Sequence, residues 1–475
     1  MSGADRTRLA PEVLDRLPSD VQRPDYDRDA QRNGIVHFGV GAFHRAHQAA
    51  FTDDAMAAGD RDWGIVGVSL RSTAVQRQLM PQHGLYSIVE RGGEEETLRI
   101  AGAVRDVLAG PAASGAIVDA IASPDTRVLS LTITEAGYLR ALDGDLDLDH
   151  PAIAADRAEG AAPATIYGFV RAGLMRRRAE GLPGLTLLSC DNLATNGAVL
   201  SQCLHSFLDA TDKQLARWFL DECACPSTMV DRIVPATTQA DLAALAERLG
   251  VRDEAAVITE PFRQWVIEDR FVTSRPRWEA VGAQLVGDVH AYELAKLRLL
   301  NAAHSALAYL GLPAGHAYVH EAIADPAIRP VIDRIMRVEA AGTLRPMRGF
   351  DPDAYCDRLI ERFANARLPH SLAQIAMDGS QKLPQRWLAT LRESAICGRR
   401  CPAILTALSA WIGFVRGDRF VVADPLSDQL RQLWQEAGGA EIVAALFGPC
   451  GLFAEHWVAD EADMDWLREA ITQQA

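Results

Sequence analysis

Three polar side chains whose types suit proton transfer stand close together in one strongly apolar stretch of the chain. This stretch, Ala291–Leu310, reads AYELAKLRLLNAAHSALAYL and carries Lys296, Asn301 and His304. A helix that is apolar almost all round is usually buried. At about 100° per residue, Asn301 is rotated roughly 140° and His304 roughly 80° from Lys296, so all three fit on one side of that helix.

Burial would change the chemistry of the Lys296 amine. A lysine among leucines and alanines loses the hydration of its charge, so we expect its pKa to be depressed toward neutrality. An amine of that kind can accept and return a proton near neutral pH. The alternative is a lysine whose ammonium reaches water, while Asn301 and His304 serve only as hydrogen-bonding groups of the core. The occurrence of all three on one buried helix favours the acid–base site.

Covalent and metal chemistry have less support in the sequence. There is no G-x-S-x-G elbow, no H-E-x-x-H helix and no P-loop. Eight cysteines are scattered along the chain, and none has the spacing of a zinc site. We therefore predict reduced, mostly buried thiols and a reaction that needs no metal.

A second chemical signal lies near the start of the chain, at Ile35–Gly41. There a short β-branched run leads into glycines, as at a strand-to-loop turn. Gly39 and Gly41 match the first two glycines of a dinucleotide fingerprint, but His44 stands at the third position. A helix starting there would favour phosphate, and Arg45 could add a positive charge. The pattern predicts a nicotinamide dinucleotide site.

The choice between NAD and NADP stays open at this stage. An acidic residue at the end of the second strand normally holds the adenosine ribose of NAD. Here that strand ends Ser69-Leu70-Arg71-Ser72-Thr73, without a carboxylate, and Arg71 could face a 2′-phosphate. Further polar groups, Glu135 and Asp191-Asn192, follow two later strand-like runs, where ligands of parallel sheets bind.

The elements that position these groups form two regions. Strand-like runs separated by helical stretches predict an α/β fold with a doubly wound parallel sheet. We place this Rossmann-type, dinucleotide-binding domain at residues 1–285, with a helix-rich insertion at Gly197–Leu249. Residues 286–475 predict a mainly α-helical substrate and catalytic domain. A chain of 475 residues is also too long for one hydrophobic core.

The overall charge restricts the partners. The net charge is −15, which argues against nucleic acid and anionic membranes as partners. No apolar run approaches the roughly 18–20 residues that span a bilayer, and the N-terminus lacks the apolar stretch of a secretory signal. We expect a cytoplasmic protein that acts on a small molecule.

The motifs resemble those of one known family. KLRLLNAAH, with Lys296, Asn301 and His304, is similar to the K-x4-N-x2-H signature of the polyol-specific long-chain dehydrogenases, the mannitol dehydrogenase family. GVGAFHRAHQ resembles their cofactor turn, and SLTITEAGY, SCDN, MVDRIVP and EPFRQWVIED are also similar. The resemblance implies a Rossmann-type domain followed by a helical substrate domain.

The resemblance also implies roles for individual residues. Lys296 would exchange the alcohol proton, and His304 would orient the reacting group. Asn192 and Asn301 would hydrogen-bond the substrate oxygen, on which charge develops as hydride is transferred. The residues that the resemblance assigns to the cofactor turn are Gly39, Gly41, Phe43, His44 and Arg45.

Within the family, QIAMDGSQKLPQR, at residues 374–386, resembles the branch that interconverts D-fructuronate and D-mannonate with NAD. A sugar carboxylate needs a cation, and arginine is its preferred bidentate partner. Arg263, Lys382 and Arg386 are the candidates, and the resemblance makes Asp231 and Lys382 polyol binders in both branches. Alternatively, Arg263 or Arg386 pairs with a structural carboxylate. The rival functions are a mannitol or other polyol dehydrogenase and a cofactor-binding regulator without turnover.

Overall fold

The computed structural model describes residues 6–93, 95–141, 144–158, 160–347 and 350–474. The chain divides into two units, Met1–His290 and Ala291–Ala475. The strands lie in the first unit, and they are β1 Asn33–Phe38, β2 Gly64–Ser69, β3 Tyr86–Arg91, β4 Glu96–Ala101, β5 Val104–Ala109, β6 Val128–Leu131, β7 Thr186–Ser189, β8 Thr228–Asp231, β9 Val257–Thr259, β10 Gln264–Glu268 and β11 Gln284–Val286.

The first unit is built on a five-stranded sheet with the strand order β5-β2-β1-β6-β7. Every neighbouring pair in it is parallel. The inner strands are buried nearly throughout, as expected for a parallel sheet covered by helices on both faces. The predicted α/β class with a doubly wound parallel sheet is confirmed.

Helices alternate with these strands, and they are α1 Ala42–Ala46, α2 Gln48–Ala57, α3 Ala74–Leu79, α4 Ser114–Ala122, α5 Pro151–Arg157, α6 Ile166–Ala179, α7 Asn196–Asp209, α8 Lys213–Glu222 and α9 Gln239–Leu249. The predicted helix-rich insertion at Gly197–Leu249 does contain α7, α8 and α9. It also contains β8, so it is not purely helical.

Two small sheets in the first unit were absent from the sequence prediction. Their strand orders are β11-β10-β8 and β4-β3-β9, and each combines one parallel with one antiparallel pair. Several strands of these two sheets are short, and in β4 more exposed residues interrupt the buried ones. These strands therefore lack the continuous apolar run that marks a central strand. The edge strand β5 escaped prediction for the same reason.

The second unit is helical, and its α-helices are α10 His290–Ala295 (which starts at the last residue of the first unit), α11 Ala302–Gly311, α12 Val319–Ala324, α13 Arg329–Arg334, α14 Pro352–Phe363, α15 Leu372–Ile375, α16 Gly379–Leu383, α17 Ala389–Ile396, α18 Pro402–Phe414, α19 Ser427–Phe447 and α20 Glu461–Gln474. Three π-helical segments adjoin them: π1 Lys296–Asn301, π2 Ile335–Ala340 and π3 Pro384–Leu388.

The π1 segment divides the predicted helix Ala291–Leu310 into three parts. It joins α10 to α11, and at its end the Ala302 N–H donates to the Leu297 carbonyl, five residues back. A π turn holds one residue more than an α turn, and such turns are frequent at functional sites. The α11 side is deeply buried among the apolar residues of the second unit's core.

No helix within the described ranges is long and apolar enough to cross a membrane.

Candidate active site

The dinucleotide turn follows β1 directly. Gly39 has a φ of 97°, and a Cβ there would lie 2.0 Å from the Thr132 carbonyl oxygen, so the position accepts only glycine. Gly41 precedes α1, and a Cβ on it would meet no atom within 4 Å. The turn is thus held closed at Gly39 and leaves open space beside Gly41, where backbone can approach a pyrophosphate.

The next three residues pack into the domain. The His44 ring stacks on His37 with centroids 3.3 Å apart, and burial lowers the pKa of His44 well below its usual range. Phe43 is partly buried and stacks on His47. The Arg45 guanidinium is buried and donates to the Ala255 carbonyl. This arrangement does not support the predicted phosphate contact of Arg45, because its side chain is engaged within the domain.

The loops that follow β6 and β7 are tied together by one buried carboxylate. Asp191 accepts hydrogen bonds from the Ile133 and Thr134 N–H groups at 2.8 and 2.9 Å. The Tyr138 hydroxyl donates to the same carboxylate at 3.0 Å. Thr134 has a φ of 68°, a strained value for a β-branched residue. Asn192 follows this anchor directly and is exposed, so its amide stands on a loop whose base is fixed.

Two predicted substrate residues of the first unit lie on or beside β8 and β10. Asp231 is the last residue of β8 and is buried. Arg263 precedes β10, and its Nη2 lies 2.6 Å from an Asp54 carboxylate oxygen. Its guanidinium also stacks over Phe51, 4.2 Å from the ring centroid. Arg263 therefore has a carboxylate partner already, which supports the structural alternative for this residue.

In the second unit, the π1 turn brings Lys296 and Asn301 side by side. The prediction assumed an α-helix, which rotates Asn301 roughly 140° away from Lys296. The observed i→i+5 turn instead places residues five apart next to one another along the helix. Both side chains are partly buried. A spacing of five residues is the natural spacing of neighbours on this turn.

His304 follows on α11 and faces a second histidine, His370, which the sequence did not predict as a site residue. The His304 and His370 rings meet edge to face at 5.3 Å, and Phe363 lies 4.7 Å from His304. Burial is the first cause that lowers the pKa of both rings, and neighbouring cations, Lys296 and Arg386 among them, lower that of His304 further. Within the described chain, the buried Nε2 atom of His304 has no hydrogen-bond partner. The ring is therefore neutral and keeps one polar atom available.

Arg386 lies on π3 and is bonded to the same helix. Its Nη1 donates to the Asn301 carbonyl at 3.2 Å and to the Ser305 hydroxyl at 2.8 Å. Among the described residues, no carboxylate lies within ion-pair distance of Arg386, unlike Arg263 with Asp54. Burial lowers the pKa of Arg386 to about 10, so the group is still charged at neutral pH. A partly buried cation without an anionic partner is costly unless a ligand supplies the anion.

Lys382 is held on α16, one turn before Arg386. Its Nζ donates to the Met377 carbonyl at 2.5 Å and lies 3.9 Å from the Asp378 carboxylate. Asp378 has a left-handed φ of 56°, so the segment that carries Lys382 is bent sharply at this point. In the described part of the chain, no group of three histidine, cysteine or acidic side chains could hold a metal ion.

His370 and Ser305 are the site residues that sequence reasoning missed. His370 lies four residues before the segment at 374–386 that drew attention, in a Pro-His-Ser turn with no periodic pattern. Ser305 is one residue past His304 and looks like any small core residue. The contact of His370 with His304 and that of Ser305 with Arg386 join residues that are distant in the chain, so only the structure shows them.

Comparison with known proteins agrees with this arrangement. A model of the mannitol dehydrogenase Rossmann domain matches residues 33–280, and a model of the mannitol dehydrogenase C-terminal domain matches residues 288–472. The chain is 41% identical to D-mannonate oxidoreductase of Escherichia coli K12, over 92% of both chains. It is 39% identical to mannitol 2-dehydrogenase of Pyrenophora tritici-repentis, over 90% of this chain and 78% of that one.

Solved structures agree with the sequence relatives. Mannitol 2-dehydrogenase of Pseudomonas fluorescens, in a ternary complex with NAD and D-mannitol, superposes with a TM-score of 0.84 at 35% identity, covering 98% of this chain and 96% of that one. A substrate-free D-sorbitol dehydrogenase superposes with a TM-score of 0.90 at 31% identity, covering 98% of both. The chain thus belongs to the mannitol dehydrogenase family of oxidoreductases.

Proposed function

We propose that the protein is an NAD-dependent oxidoreductase that interconverts D-fructuronate and D-mannonate, that is, the ketone and the secondary alcohol of a sugar acid. The observation that supports this substrate class is Arg386. It is a cation without a carboxylate partner in the described chain, and it is bonded to the backbone of Asn301. A substrate carboxylate would supply the missing anion through charge-assisted, bidentate hydrogen bonds.

The cofactor turn fits a dinucleotide. Open space beside Gly41 would accept the pyrophosphate, and Gly39 maintains the tight turn. No acidic residue stands at Ser69–Thr73, after β2, to hold the adenosine ribose, so NADP is the alternative cofactor. When bound, the nicotinamide supplies or accepts the hydride at the reacting carbon.

Residues of this chain would transfer the proton and stabilise the charge that develops on the substrate oxygen. In reduction, the Lys296 ammonium would donate a proton to the carbonyl oxygen as the carbon gains hydride, and in oxidation the amine would take the proton back. The Asn301 amide, adjacent to Lys296 on π1, would donate a hydrogen bond to that oxygen. Asn192 remains the predicted second amide donor. His304, whose pKa burial lowers and whose Nε2 has no hydrogen-bond partner among the described residues, would accept from or donate to a substrate hydroxyl.

One comparison of substrates tests the substrate class. Purified protein is given NADH or NADPH with D-fructuronate, D-tagaturonate or D-fructose in parallel, and cofactor oxidation is followed by absorbance. We expect kcat/KM for fructuronate to exceed that for fructose by at least a hundredfold. Fructose has no carboxylate and would lack two charge-assisted hydrogen bonds, which together contribute about 3 kcal/mol. A preference for fructose would overturn the sugar-acid proposal and favour the polyol dehydrogenases to which the chain is also similar.

A cofactor-binding regulator without turnover is the candidate from another class. Lys296, Asn301, His304 and Arg386 are all present, and the structure keeps them partly or fully buried, where unused polar groups destabilise a fold. This supports an active enzyme. Absence of turnover with all three sugars, alongside normal NADH binding, would favour the regulator.

A further inference from the structure

A cavity in the helical unit lies apart from the residues assigned to the candidate active site. It has a volume of about 970 Å³, is partly open to solvent, and is lined by the C-terminal ends of α11, α18 and α20 and by the middle of α19. Ligand pockets in proteins typically measure about 300–1,000 Å³, so the cavity is large enough for a nucleotide-sized molecule.

The wall of this cavity is basic in an otherwise acidic protein. Arg416, Arg419 and Arg431 line it, whereas Asp418 is the acidic residue of the lining. Asp418 pairs with Arg416 at 3.0 Å, and Arg431 reaches only the highly exposed Asp428, at 3.8 Å. Arg419 has no carboxylate within ion-pair distance in the described chain. The cavity therefore carries positive charge that an anion would neutralise.

Aromatic rings accompany the arginines. The Arg416 guanidinium lies 5.6 Å from the centroid of the Trp434 ring, and that of Arg419 lies 5.9 Å from the Phe420 ring. Both rings line the cavity. A flat apolar group could stack here while guanidinium groups hold its anion, because rings and cations lie within one ligand's reach.

The helix that forms one wall is opened by two glycines. Gly438 has a φ of 69° and a ψ of 179° inside α19, so the helix breaks there. Gly438 and Gly439 both line the cavity, and a Cβ on either would meet no atom within 4 Å. Glycine inside a helix costs roughly 1 kcal/mol relative to alanine. Because glycine has no side chain, the backbone is accessible at this wall of the cavity, and a ligand can approach it closely.

The cavity is linked to the segment that carries Lys382 and Arg386. Tyr309 lines the cavity, and its hydroxyl donates to the Ala376 carbonyl at 2.9 Å. The loop after α18 begins at the cavity wall and then forms hydrogen bonds with the segment that carries Lys382 and Arg386. In it, the Ala423 carbonyl accepts from the Asp378 N–H at 2.9 Å, and Asp424 accepts from Ser380. Two hydrogen-bonded routes thus join the two places.

We propose that this cavity binds an aromatic anion of the nucleoside-phosphate class, and that its occupancy changes the affinity of the catalytic site for its sugar. The guanidinium groups of Arg419 and Arg431 bind the phosphate, and the ring stacks against the aromatic wall. The coupling rests on the proposed function, whereas the binding does not.

Fluorescence titration of the full chain tests binding without any turnover. The probe is 1-anilinonaphthalene-8-sulfonate, an aromatic anion, with AMP as the competitor, and the part of the signal that is lost in variants of the cavity reports the cavity, because those variants leave the cofactor turn intact. The charge variant is Arg419→Gln with Arg431→Gln, and the volume variant is Gly439→Leu, which fills the cavity at a backbone conformation open to any residue. Each should weaken probe binding about tenfold or more.

Arg358→Gln is the matched control. Arg358 is exposed and lies 5.9 Å from the Tyr355 ring centroid, the same distance as Arg419 from Phe420, but it does not line the cavity. Probe affinity in this variant should equal that of the wild type. Wild-type affinity in both cavity variants, or equal binding of the uncharged probe N-phenyl-1-naphthylamine, would overturn the site. Failure of millimolar AMP to displace the probe would overturn the nucleotide class.

The coupling has its own readout, the KM of the sugar with and without AMP. We expect a severalfold change in KM that disappears in Gly439→Leu, with kcat unaltered. An unchanged KM in the wild type would overturn the coupling, even where the probe binds.

Discussion

Arg386→Met should abolish the preference for a sugar acid over a neutral sugar that the proposed function requires. Methionine keeps the apolar stem of the side chain and removes the guanidinium. The prediction concerns the ratio of kcat/KM for fructuronate to that for fructose, because the two substrates differ at the carboxylate end.

The size of the effect follows from the contacts of the guanidinium. An arginine has five N–H donors. The Nη1 group of Arg386 is engaged by the Asn301 carbonyl and the Ser305 hydroxyl, which leaves the Nε and Nη2 donors for a ligand. Two charge-assisted hydrogen bonds contribute about 1.5 kcal/mol each at the low end of their range, or about 3 kcal/mol together. The ratio should therefore fall on the order of a hundredfold.

Steady-state reduction with NADH measures both substrates on one enzyme preparation. Loss of the bonds to Asn301 and Ser305 should lower both rates, and it therefore cancels in the ratio. Arg392→Met, a change at an exposed arginine of α17, should leave the ratio unaltered. If Arg386→Met lowers both rates by the same factor, Arg386 only supports the helix, and the assignment of the carboxylate to it is refuted.

Four further predictions concern the proton, the cofactor and the absence of a metal. Lys296→Ala should abolish turnover and leave the Kd for NADH nearly unchanged by fluorescence titration, because the amine serves the substrate oxygen. His304→Gln should lower kcat/KM but keep the pH at which it declines in the reduction direction, since burial already holds the pKa of His304 well below its usual range and the ring is neutral there. Gly41→Val should weaken NADH binding at least tenfold with an unchanged Tm, whereas Gly39→Val should lower the Tm, because only Gly39 is in contact with backbone. Prolonged dialysis against EDTA should leave turnover intact, as the described residues offer no metal cluster.

Each of these outcomes has a definite opposite. Retained turnover in Lys296→Ala would remove that amine from proton transfer. A displaced pH limb in His304→Gln would show that the imidazole titrates in the working range. Equal losses of Tm in the two glycine variants would mean that the space beside Gly41 is part of the packing. Activity restored only by a divalent cation would contradict the metal-independent mechanism.

The fold was largely predictable because its main signals are local. Buried parallel strands are continuous apolar runs, and β1, β2, β6 and β7 were each recognisable as such. The strands β4 and β5 alternate in burial or are short of apolar residues, so their pairing depends on neighbours distant in the chain. The mainly helical character of the second unit was predicted from its sequence pattern, whereas the π turns within it were not.

Residue types alone were enough to propose the candidate site, whereas its contacts required the structure. Lys296, Asn301 and His304 were identified from one helix, since a helix fixes its own neighbours. The sequence could not show which groups Arg263 and Arg386 contact, because their partners lie far away along the chain. The partner of Arg263 is Asp54, and that of Arg386 is Ser305. Two arginines that looked equivalent in the sequence thus differ in whether a carboxylate already neutralises them.

The π1 turn makes the length of the segment between Lys296 and Asn301 a property of its own. Of the four residues between them, three are leucines and the fourth, Arg298, is ion-paired with Glu393. A π turn holds one residue more than an α turn. If the full-length segment were straightened into an ordinary α-helix, Asn301 would therefore turn about 140° away from Lys296. If one residue, for example Leu299, were deleted at the same time, Asn301 would stand four residues from Lys296 and return to within about 40° of it, with His304 within about 20°. The π turn is therefore what allows a segment of this length to keep both groups beside Lys296, and the number of residues and the type of turn specify the site together.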